Sequence, residues 1–322
     1  MLPGEARSAR SRCTAVPLSL YFHIPFCDSL CWFCGCNTTV VRRYQPVTAY
    51  LQRRKREIAA VAKIFTGRRR VKHIHFGGGS PSLLKPKDWR LLFAQLRTAF
   101  DIAEDTAIAV EIDPRDLPRE NVAALAEVGF NWASFGVQDF DADVQHAINR
   151  VQPFDVTARM VEDGLAQAEA GGRLRRNFQG YTDDPAGAFI GFGASAISSL
   201  PQGYVQNTTH TPAYNRAIDS GGLAAERGFR LGPQDVLRRG IIESLMCHLS
   251  VDLNGVGRAS EALPPGFAAE LGALEEFRRD GLIEIADGRV GVTPLGRPLL
   301  RVICAAFDSY LKPAESRHSR AI

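Results

Sequence analysis

Strand-like and helical segments alternate along the first half of the chain, and this order constrains the fold more than any other feature. The apolar segment SLYFHIPF predicts a strand, and helical periodicity follows over residues 47–65. Further strands are predicted at VKHIHF, AIAVEI and WASFGV, and further helices at about 89–100, at ENVAALAEVGF, at 141–149 and at 155–170. Such alternation is typical of parallel strands joined by helical crossovers, so we predict an α/β fold with a whole or partial β/α barrel.

Polar or sulfur-containing residues follow each predicted strand at the point where it ends. Cysteines follow the first strand, GGGSP follows the second, Glu111 ends the third, and Gln138 follows the fourth. In a β/α barrel these positions share one face, which carries the active site in enzymes of this architecture. The sequence therefore predicts a site at this edge of the sheet.

The second half of the chain has a different character. Residues 171–222 are rich in Gly, Ser, Thr, Asn and Gln, with weak periodicity. Helices are predicted at 235–249, 267–280 and 294–311, with a hairpin at LIEIADGRVGVT that turns at Asp287 and Gly288. We therefore predict an N-terminal tail over 1–16, a barrel-like domain over 17–222, and a small, mainly helical, winged-helix-like domain over 223–322 that serves as a scaffold.

Composition excludes several functional classes. The net charge of +4, from 39 basic and 35 acidic residues, is too small to indicate a nucleic-acid partner, and the clusters RRKRE (53–57) and GRRRVK (67–72) are interpreted mainly as a solvated helix face and a basic loop. No apolar run approaches the length of a membrane span, and the N-terminus has no signal-like core. We expect a cytoplasmic protein without a membrane partner.

Four of the seven cysteines lie within ten residues, in CDSLCWFCGC. In a reducing compartment, clustered cysteines are more often metal ligands or reactive thiols than disulfides. The C-x3-C-x2-C spacing of Cys27, Cys31 and Cys34 favours an iron–sulfur cluster held by one loop. Zinc is the alternative, although structural zinc sites usually take ligand pairs from two separated segments.

The cysteine motif, followed by GGGSP, VEIDP and SFGVQD, resembles the radical S-adenosylmethionine enzymes. Together with YFHIPFC, CGCN, RNFQGY and GFGASAIS, it is similar to one family among them, the oxygen-independent coproporphyrinogen III oxidases of haem biosynthesis. The resemblance implies a [4Fe–4S] cluster on Cys27, Cys31 and Cys34, whereas Cys36 matches a cysteine that is not a cluster ligand. It also implies two molecules of S-adenosylmethionine, whose reductive cleavage gives a radical that starts the decarboxylation of propionate side chains.

The resemblance carries over to further positions. Residues matching contacts to the first S-adenosylmethionine are Tyr21, Gly78, Glu111 and Ile197. Residues matching contacts to the second are Phe33, Gly79, Ser80, Gln138 and Arg150. The substrate implied is coproporphyrinogen III, converted to protoporphyrinogen IX by a monomer that receives electrons from a flavodoxin- or ferredoxin-type protein.

The chain departs from the family near residues 170/171. A fifth strand with an aspartate for the second cofactor, a sixth strand and adjoining helices are missing, about a hundred residues of the ~250 that such a barrel takes. From the same resemblance, we expect the family's N-terminal arm before the first strand to be absent as well. Four strands alone would leave an exposed sheet edge. Two alternatives to an active oxidase therefore stay open, namely a haem- or porphyrin-binding protein and an inactive member of the family.

Overall fold

The structure is a computed structural model that describes residues 17–65, 67–113, 115, 119–136, 138–152, 175–177, 180–182, 187–258 and 267–311. The predicted tail over 1–16, the helix predicted at 155–170 and the junction near 170/171 lie outside the described residues. The chain divides into two units. The first comprises Met1–Glu162 with Ala186–Arg230, and the second comprises Asp163–Pro185 with Leu231–Ile322.

In chain order, the strands of the described residues are β1 (Leu18–Ile24), β2 (Phe26–Cys27), β3 (Thr39–Val40), β4 (Arg70–Gly78), β5 (Asp101–Ile112), β6 (Trp132–Phe135), β7 (Arg175–Asn177), β8 (Gly180–Thr182), β9 (Ala188–Phe192), β10 (Ile197–Leu200), β11 (Gly203–Asn207), β12 (Ala225–Arg230), β13 (Ser250–Asp252), β14 (Ile283–Ala286) and β15 (Arg289–Val292). The longest strands of the described residues are β1, β4 and β5.

The helices begin where the sequence supplies a compatible first turn. In chain order they are α1 (Gln45–Ala62), α2 (Pro86–Ala99), α3 (Arg119–Val128), α4 (Ala142–Ala147), α5 (Thr211–Asp219), α6 (Pro233–His248), α7 (Leu253–Arg258), α8 (Ala268–Ala273), α9 (Glu275–Arg279) and α10 (Leu300–Ala305). Proline lies in the first turn of α1, α2, α5 and α6, where its missing N–H is not needed. The Asp141 carboxylate caps α4 by accepting from two backbone N–H groups. None of these described helices has the length and hydropathy needed to cross a membrane.

One eight-stranded sheet organises the first unit, in the order β12-β11-β10-β9-β1-β4-β5-β6. Strands β9, β1, β4, β5 and β6 pair in parallel, which confirms the predicted α/β class. The register pairs Tyr21 with His75 and His75 with Ala109. Because the strands run in the same direction, β1, β4 and β5 end at the same edge, as predicted.

The four predicted parallel strands do not stand alone, as the expectation of an exposed sheet edge assumed, because the β1 side of the sheet is covered. Strand β9 pairs with β1 from Leu18↔Ala188 to Phe22↔Phe192, although the weak periodicity of residues 171–222 gave no strand there. Strands β10, β11 and β12 continue the sheet in antiparallel fashion. Since β12 pairs with β11, the first unit extends to Arg230, beyond the predicted boundary at 222. Within the described residues, β6 remains at the opposite edge of the sheet.

Aromatic side chains form the centre of the first unit's core. Phe22 of β1 stacks against Phe76 of β4 and Phe192 of β9, with ring centroids 4.8 Å apart in both pairs. Trp89 of α2 meets Phe76 edge to face and is fully buried. Burying each such side chain stabilises the fold by about 1.5–3 kcal/mol, so this core holds the three parallel strands in register.

The interpretation of residues 53–57 as a solvated helix face is wrong for two of them. Arg54 and Glu57 of α1 are buried and form an ion pair, and the Arg54 guanidinium also donates to the His23 carbonyl over 3.1 Å. Glu57 accepts from the Gly193 N–H at 3.0 Å and the Tyr214 hydroxyl at 2.9 Å. Charged groups are buried when they are paired and hydrogen-bonded, so this network links α1 to the ends of β1 and β9.

The second unit has its own core and is mainly helical, as predicted. The predicted helix at 235–249 is α6, the region 267–280 divides into α8 and α9, and 294–311 holds a 3-10 turn (Arg297–Leu299) and α10. The predicted hairpin is β14–β15, and its turn residues Asp287 and Gly288 both have positive φ. Strand β13 extends this hairpin to a sheet of order β13-β15-β14.

Candidate active site

The four clustered cysteines lie on the segment that runs from Cys27, the last residue of β2, through the loop to β3, and we call this segment the cysteine loop. Its ends are held by the parallel pairs Phe26↔Thr39 and Cys27↔Val40. Its middle is tied to the segment after α4, because the Trp32 N–H donates to the Ile148 carbonyl at 3.1 Å and the Asn149 amide donates to the Leu30 carbonyl at 2.7 Å. The loop is therefore fixed from two sides at the carboxyl edge of the sheet.

The loop borders a cavity of about 230 Å³. Most of the residues predicted for the site line it, and they come from β2, the cysteine loop, the ends of β4 and β5, and the segments after β6 and α4. The lining residues among the predicted set are Cys27, Cys31, Phe33, Cys34, Gly78, Gly79, Ser80, Glu111, Gln138 and Arg150. Cys36 also lines the cavity.

Two of the predicted residues do not line this cavity. Tyr21 of β1 is buried, and its hydroxyl lies 3.1 Å from Nδ1 of His23. Since Nε2 of His23 lies 2.8 Å from the Asn37 carbonyl, which can only accept, the ring donates through Nε2 and accepts from Tyr21 through Nδ1. Ile197 belongs to β10, where it pairs with Gln206.

Glycines at the end of β4 allow the strand to approach the cysteine loop closely. A Cβ atom on Gly79 would lie 2.5 Å from the Phe26 carbonyl oxygen, and Gly78 has a φ of +115°. Neither position tolerates a side chain without displacing backbone. The Gly79 and Ser80 N–H groups donate to the carbonyls of Ile24 and Phe26, at 2.8 and 2.7 Å, which fixes the GGGS segment against β1 and β2.

Glu111 is an ionised acceptor at the end of β5. Its carboxylate accepts from Nε2 of His75 at 2.9 Å and from the Gly78 N–H at 3.3 Å. Burial disfavours the charged form, but these hydrogen bonds and the nearby histidine outweigh it and hold the pKa of Glu111 below its usual value. The carboxylate is therefore charged at neutral pH and available to a hydroxyl or ammonium donor.

The three thiols have different surroundings. Sγ of Cys27 lies 3.1 Å from Oγ1 of Thr38 and 3.9 Å from Oγ of Ser80, and burial raises its pKa although these hydroxyls oppose the shift. Sγ of Cys31 lies 3.5 Å from Nη1 of Arg150 and 3.7 Å from Nη2 of Arg115. The Cys34 thiol is hydrogen-bonded with the Cys36 thiol, and the Cys34 backbone N–H donates to the Cys31 carbonyl at 3.1 Å.

Sequence reasoning missed Asp113 and Arg115, which also line the cavity. They come two and four residues after Glu111, at the carboxyl end of the same predicted strand. Their position at this strand end could therefore have indicated them as site residues. Asp113 accepts from Arg115 at 2.6 Å and from Arg150 at 3.2 Å. Burial opposes its ionisation, but the two guanidinium groups hold the pKa of Asp113 below its usual value.

The donor set fits an iron–sulfur cluster. Cys27, Cys31 and Cys34 face one cavity from a single loop, and thiolates are the usual ligands of such clusters. Within the described residues, no group of three or more His, Cys, Asp and Glu side chains is arranged around the position of a single metal ion. All three cysteines come from one short segment and no second C-x2-C pair follows in the sequence, which suits a cluster better than a structural zinc site with ligand pairs from two segments.

Comparison with models of protein families shows the broad class to which the chain belongs. Residues 21–163 match the model of the radical SAM superfamily, and residues 231–299 match that of the HemN C-terminal domain. The class is therefore that of enzymes using an iron–sulfur cluster and S-adenosylmethionine.

The relatives then define the particular family. The oxygen-independent coproporphyrinogen III oxidase of Bradyrhizobium diazoefficiens is 34% identical over 402 residues, which cover 94% of this chain and 89% of the relative. The enzyme of the same name from Synechocystis is 31% identical, covering 95% and 88%. The coproporphyrinogen III oxidase HemN of Escherichia coli, described as a radical SAM enzyme, matches with a TM-score of 0.86 and 29% identity over 97% of this chain and 94% of that one. The chain belongs to the family of oxygen-independent coproporphyrinogen III oxidases.

The alignment with the Bradyrhizobium enzyme is longer than the part of this chain that it includes. The match to the Bradyrhizobium enzyme runs over 402 residues but includes 94% of this chain of 322 residues, about 303 positions. About a hundred aligned positions of 402 therefore have no counterpart here.

Proposed function

We propose that this protein catalyses the oxidative decarboxylation of coproporphyrinogen III to protoporphyrinogen IX without oxygen. The observation that carries the proposal is the convergence of three cluster-spaced thiols, the GGGS segment and Glu111 on one cavity. Family membership supplies the reaction class. In this proposal Cys27, Cys31 and Cys34 hold a [4Fe–4S] cluster, and Cys36 lines the cavity without binding iron.

The cluster and S-adenosylmethionine, when bound, supply a radical that removes hydrogen from a propionate side chain. The protein's own contribution is binding and orientation. The ionised Glu111 carboxylate accepts from a ribose hydroxyl or an ammonium group. The absence of side chains at Gly78 and Gly79 lets the GGGS backbone lie against β1 and β2, so that it forms part of the cavity wall. Tyr21 and Ile197, which lie outside the described cavity, are proposed contacts of the same first S-adenosylmethionine.

The proposal includes a site for a second molecule of S-adenosylmethionine. Phe33, Gly79, Ser80, Gln138 and Arg150 all line the cavity, which supports a second ligand beside the first. The aspartate that the family places on its fifth strand has no counterpart in the sequence. We therefore propose that any second molecule binds more weakly than the first.

The proposal extends to the setting of the reaction. A flavodoxin- or ferredoxin-type protein would supply electrons, and the enzyme would act as a cytoplasmic monomer. The exposed edge of the cysteine loop, where the Trp32 side chain is 71% exposed, gives such a donor access close to Cys31.

Cysteine variants test the proposed cluster and its role together. After anaerobic reconstitution, Cys27→Ala, Cys31→Ala and Cys34→Ala should each lose bound iron and sulfide and the formation of 5′-deoxyadenosine from S-adenosylmethionine. Cys36→Ala is the matched control from the same loop and should keep its iron. Stoichiometric zinc without iron in the wild-type protein, or loss of iron from Cys36→Ala equal to that of the other three, would contradict the assignment.

A further inference from the structure

The Cys31 thiol differs from the Cys27 thiol in having charged neighbours. Two guanidinium groups donate towards its sulfur, from Arg150 at 3.5 Å and from Arg115 at 3.7 Å. The corresponding neighbours of Cys27 are the neutral hydroxyls of Thr38 and Ser80. The electrostatic environment of the site is therefore asymmetric, with positive charge concentrated at Cys31.

Asp113 holds the two arginines in place. Its Oδ2 atom accepts from Nη2 of Arg115 at 2.6 Å and from Nη1 of Arg150 at 3.2 Å. Arg150 is further fixed by donating from Nη2 to the Gly136 carbonyl at 3.0 Å. One carboxylate thus joins two cations, and the trio carries one net positive charge beside Cys31, in a region where all three side chains are at most 21% exposed.

We propose that Asp113, Arg115 and Arg150 raise the reduction potential of the cluster; this inference rests on the proposed function, because it requires a cluster on Cys31. One-electron reduction by an external donor adds one unit of negative charge to the cluster and its thiolates. Fixed positive charge within hydrogen-bond distance of a ligand sulfur stabilises the more negative, reduced form. Hydrogen bonds to the sulfurs are among the factors that set such potentials.

The expected effect of one guanidinium follows from ordinary magnitudes. A hydrogen bond to a charged group changes an equilibrium constant by about tenfold or more, and partial exposure of Arg115 puts the effect at the lower end of that range. For a one-electron step, tenfold corresponds to 59 mV. Removing the charge at Arg115 should therefore make the potential more negative by about that amount.

The test is a redox titration of the reconstituted full-length protein, followed by the electron paramagnetic resonance signal of the reduced cluster. Arg115→Gln should lower the equilibrium constant for reduction about tenfold relative to wild type. Arg115→Lys keeps a cation without the planar fork and should give an intermediate value. Arg90→Gln, which removes an exposed arginine paired with Glu127, is the control and should leave the potential unchanged.

The outcomes separate this inference from the function itself. A cluster present at wild-type iron content with the same potential in Arg115→Gln and wild type would overturn the tuning role and leave the proposed function standing. Loss of the cluster from both Arg115 variants would show that Arg115 is needed to hold the loop in place. That result would also overturn the proposed effect on the reduction potential. A wild-type protein that binds no cluster would instead contradict the proposed function.

Discussion

Replacing Arg54 by Met should destabilise the first unit by about 3 kcal/mol, near the lower end of the range for breaking a buried ion pair. The Arg54 side chain is fully buried, and its guanidinium contacts Glu57, Tyr50 and the His23 carbonyl. Without it, the Glu57 carboxylate stays buried and loses its counter-charge. Glu57 still accepts from Gly193, Asn207 and Tyr214, and the His23 carbonyl still accepts from Tyr50, which limits the loss.

The chain offers an optical probe and a matched control for this experiment. All three tryptophans, at positions 32, 89 and 132, belong to the first unit, so tryptophan fluorescence during urea unfolding follows that unit. Arg53 lies beside Arg54 on α1, but it pairs with Asp219 at the surface. Surface ion pairs contribute little to the free energy of unfolding, so Arg53→Met should lower it far less than Arg54→Met does. Equal losses for the two variants would refute the account of the buried network.

Three further predictions concern the ligands and the pH dependence. Calorimetry on the reconstituted protein should find one S-adenosylmethionine bound firmly and a second bound weakly or not at all; two equally tight sites would contradict the proposed loss of the second site. With coproporphyrinogen III, 5′-deoxyadenosine should exceed vinyl product. Within the described residues β6 lies at an edge of the sheet, and the absence of two strands expected from the sequence would leave the radical less well enclosed. A tightly coupled ratio at sustained turnover would be inconsistent with this. Burial lowers the pKa of His23 below its usual 6.5, so the unfolded chain binds a proton more readily and the free energy of unfolding should fall as pH drops below about 6.5. The free energy of unfolding, measured in urea at pH 7 and at pH 5.5, should change less between the two pH values for His23→Gln than for wild type. Equal changes in the two proteins would exclude His23 as the cause.

The sequence was sufficient for the parallel part of the sheet and most of the cavity lining. Local periodicity gave β1, β4, β5 and β6, and parallel strands necessarily bring their carboxyl ends to one edge. For that reason Cys27, Gly78 and Glu111, which are far apart in the chain, could be expected to meet there.

Features that depend on distant contacts were not predictable from local pattern. Strand β9 lies in a Gly- and Ser-rich segment without clear alternation, and only its pairing with β1 makes it a strand. Arg54 and Glu57 have the composition of an exposed helix face, yet Gly193 directly after β9, Asn207 of β11 and Tyr214 of α5 cover them. The link between Arg115 and Cys31 joins residues 84 positions apart and follows only from the folded loop.

The most direct test of the account is an anaerobic reaction of the reconstituted protein with coproporphyrinogen III, S-adenosylmethionine and a chemical reductant, analysed for porphyrin products by chromatography and mass spectrometry. We expect products with one and then two vinyl groups in place of propionates. They should form only when both the cluster and S-adenosylmethionine are present, and they should be absent with Cys31→Ala. A protein that carries its cluster and cleaves S-adenosylmethionine, yet leaves every propionate of coproporphyrinogen III intact, would contradict it.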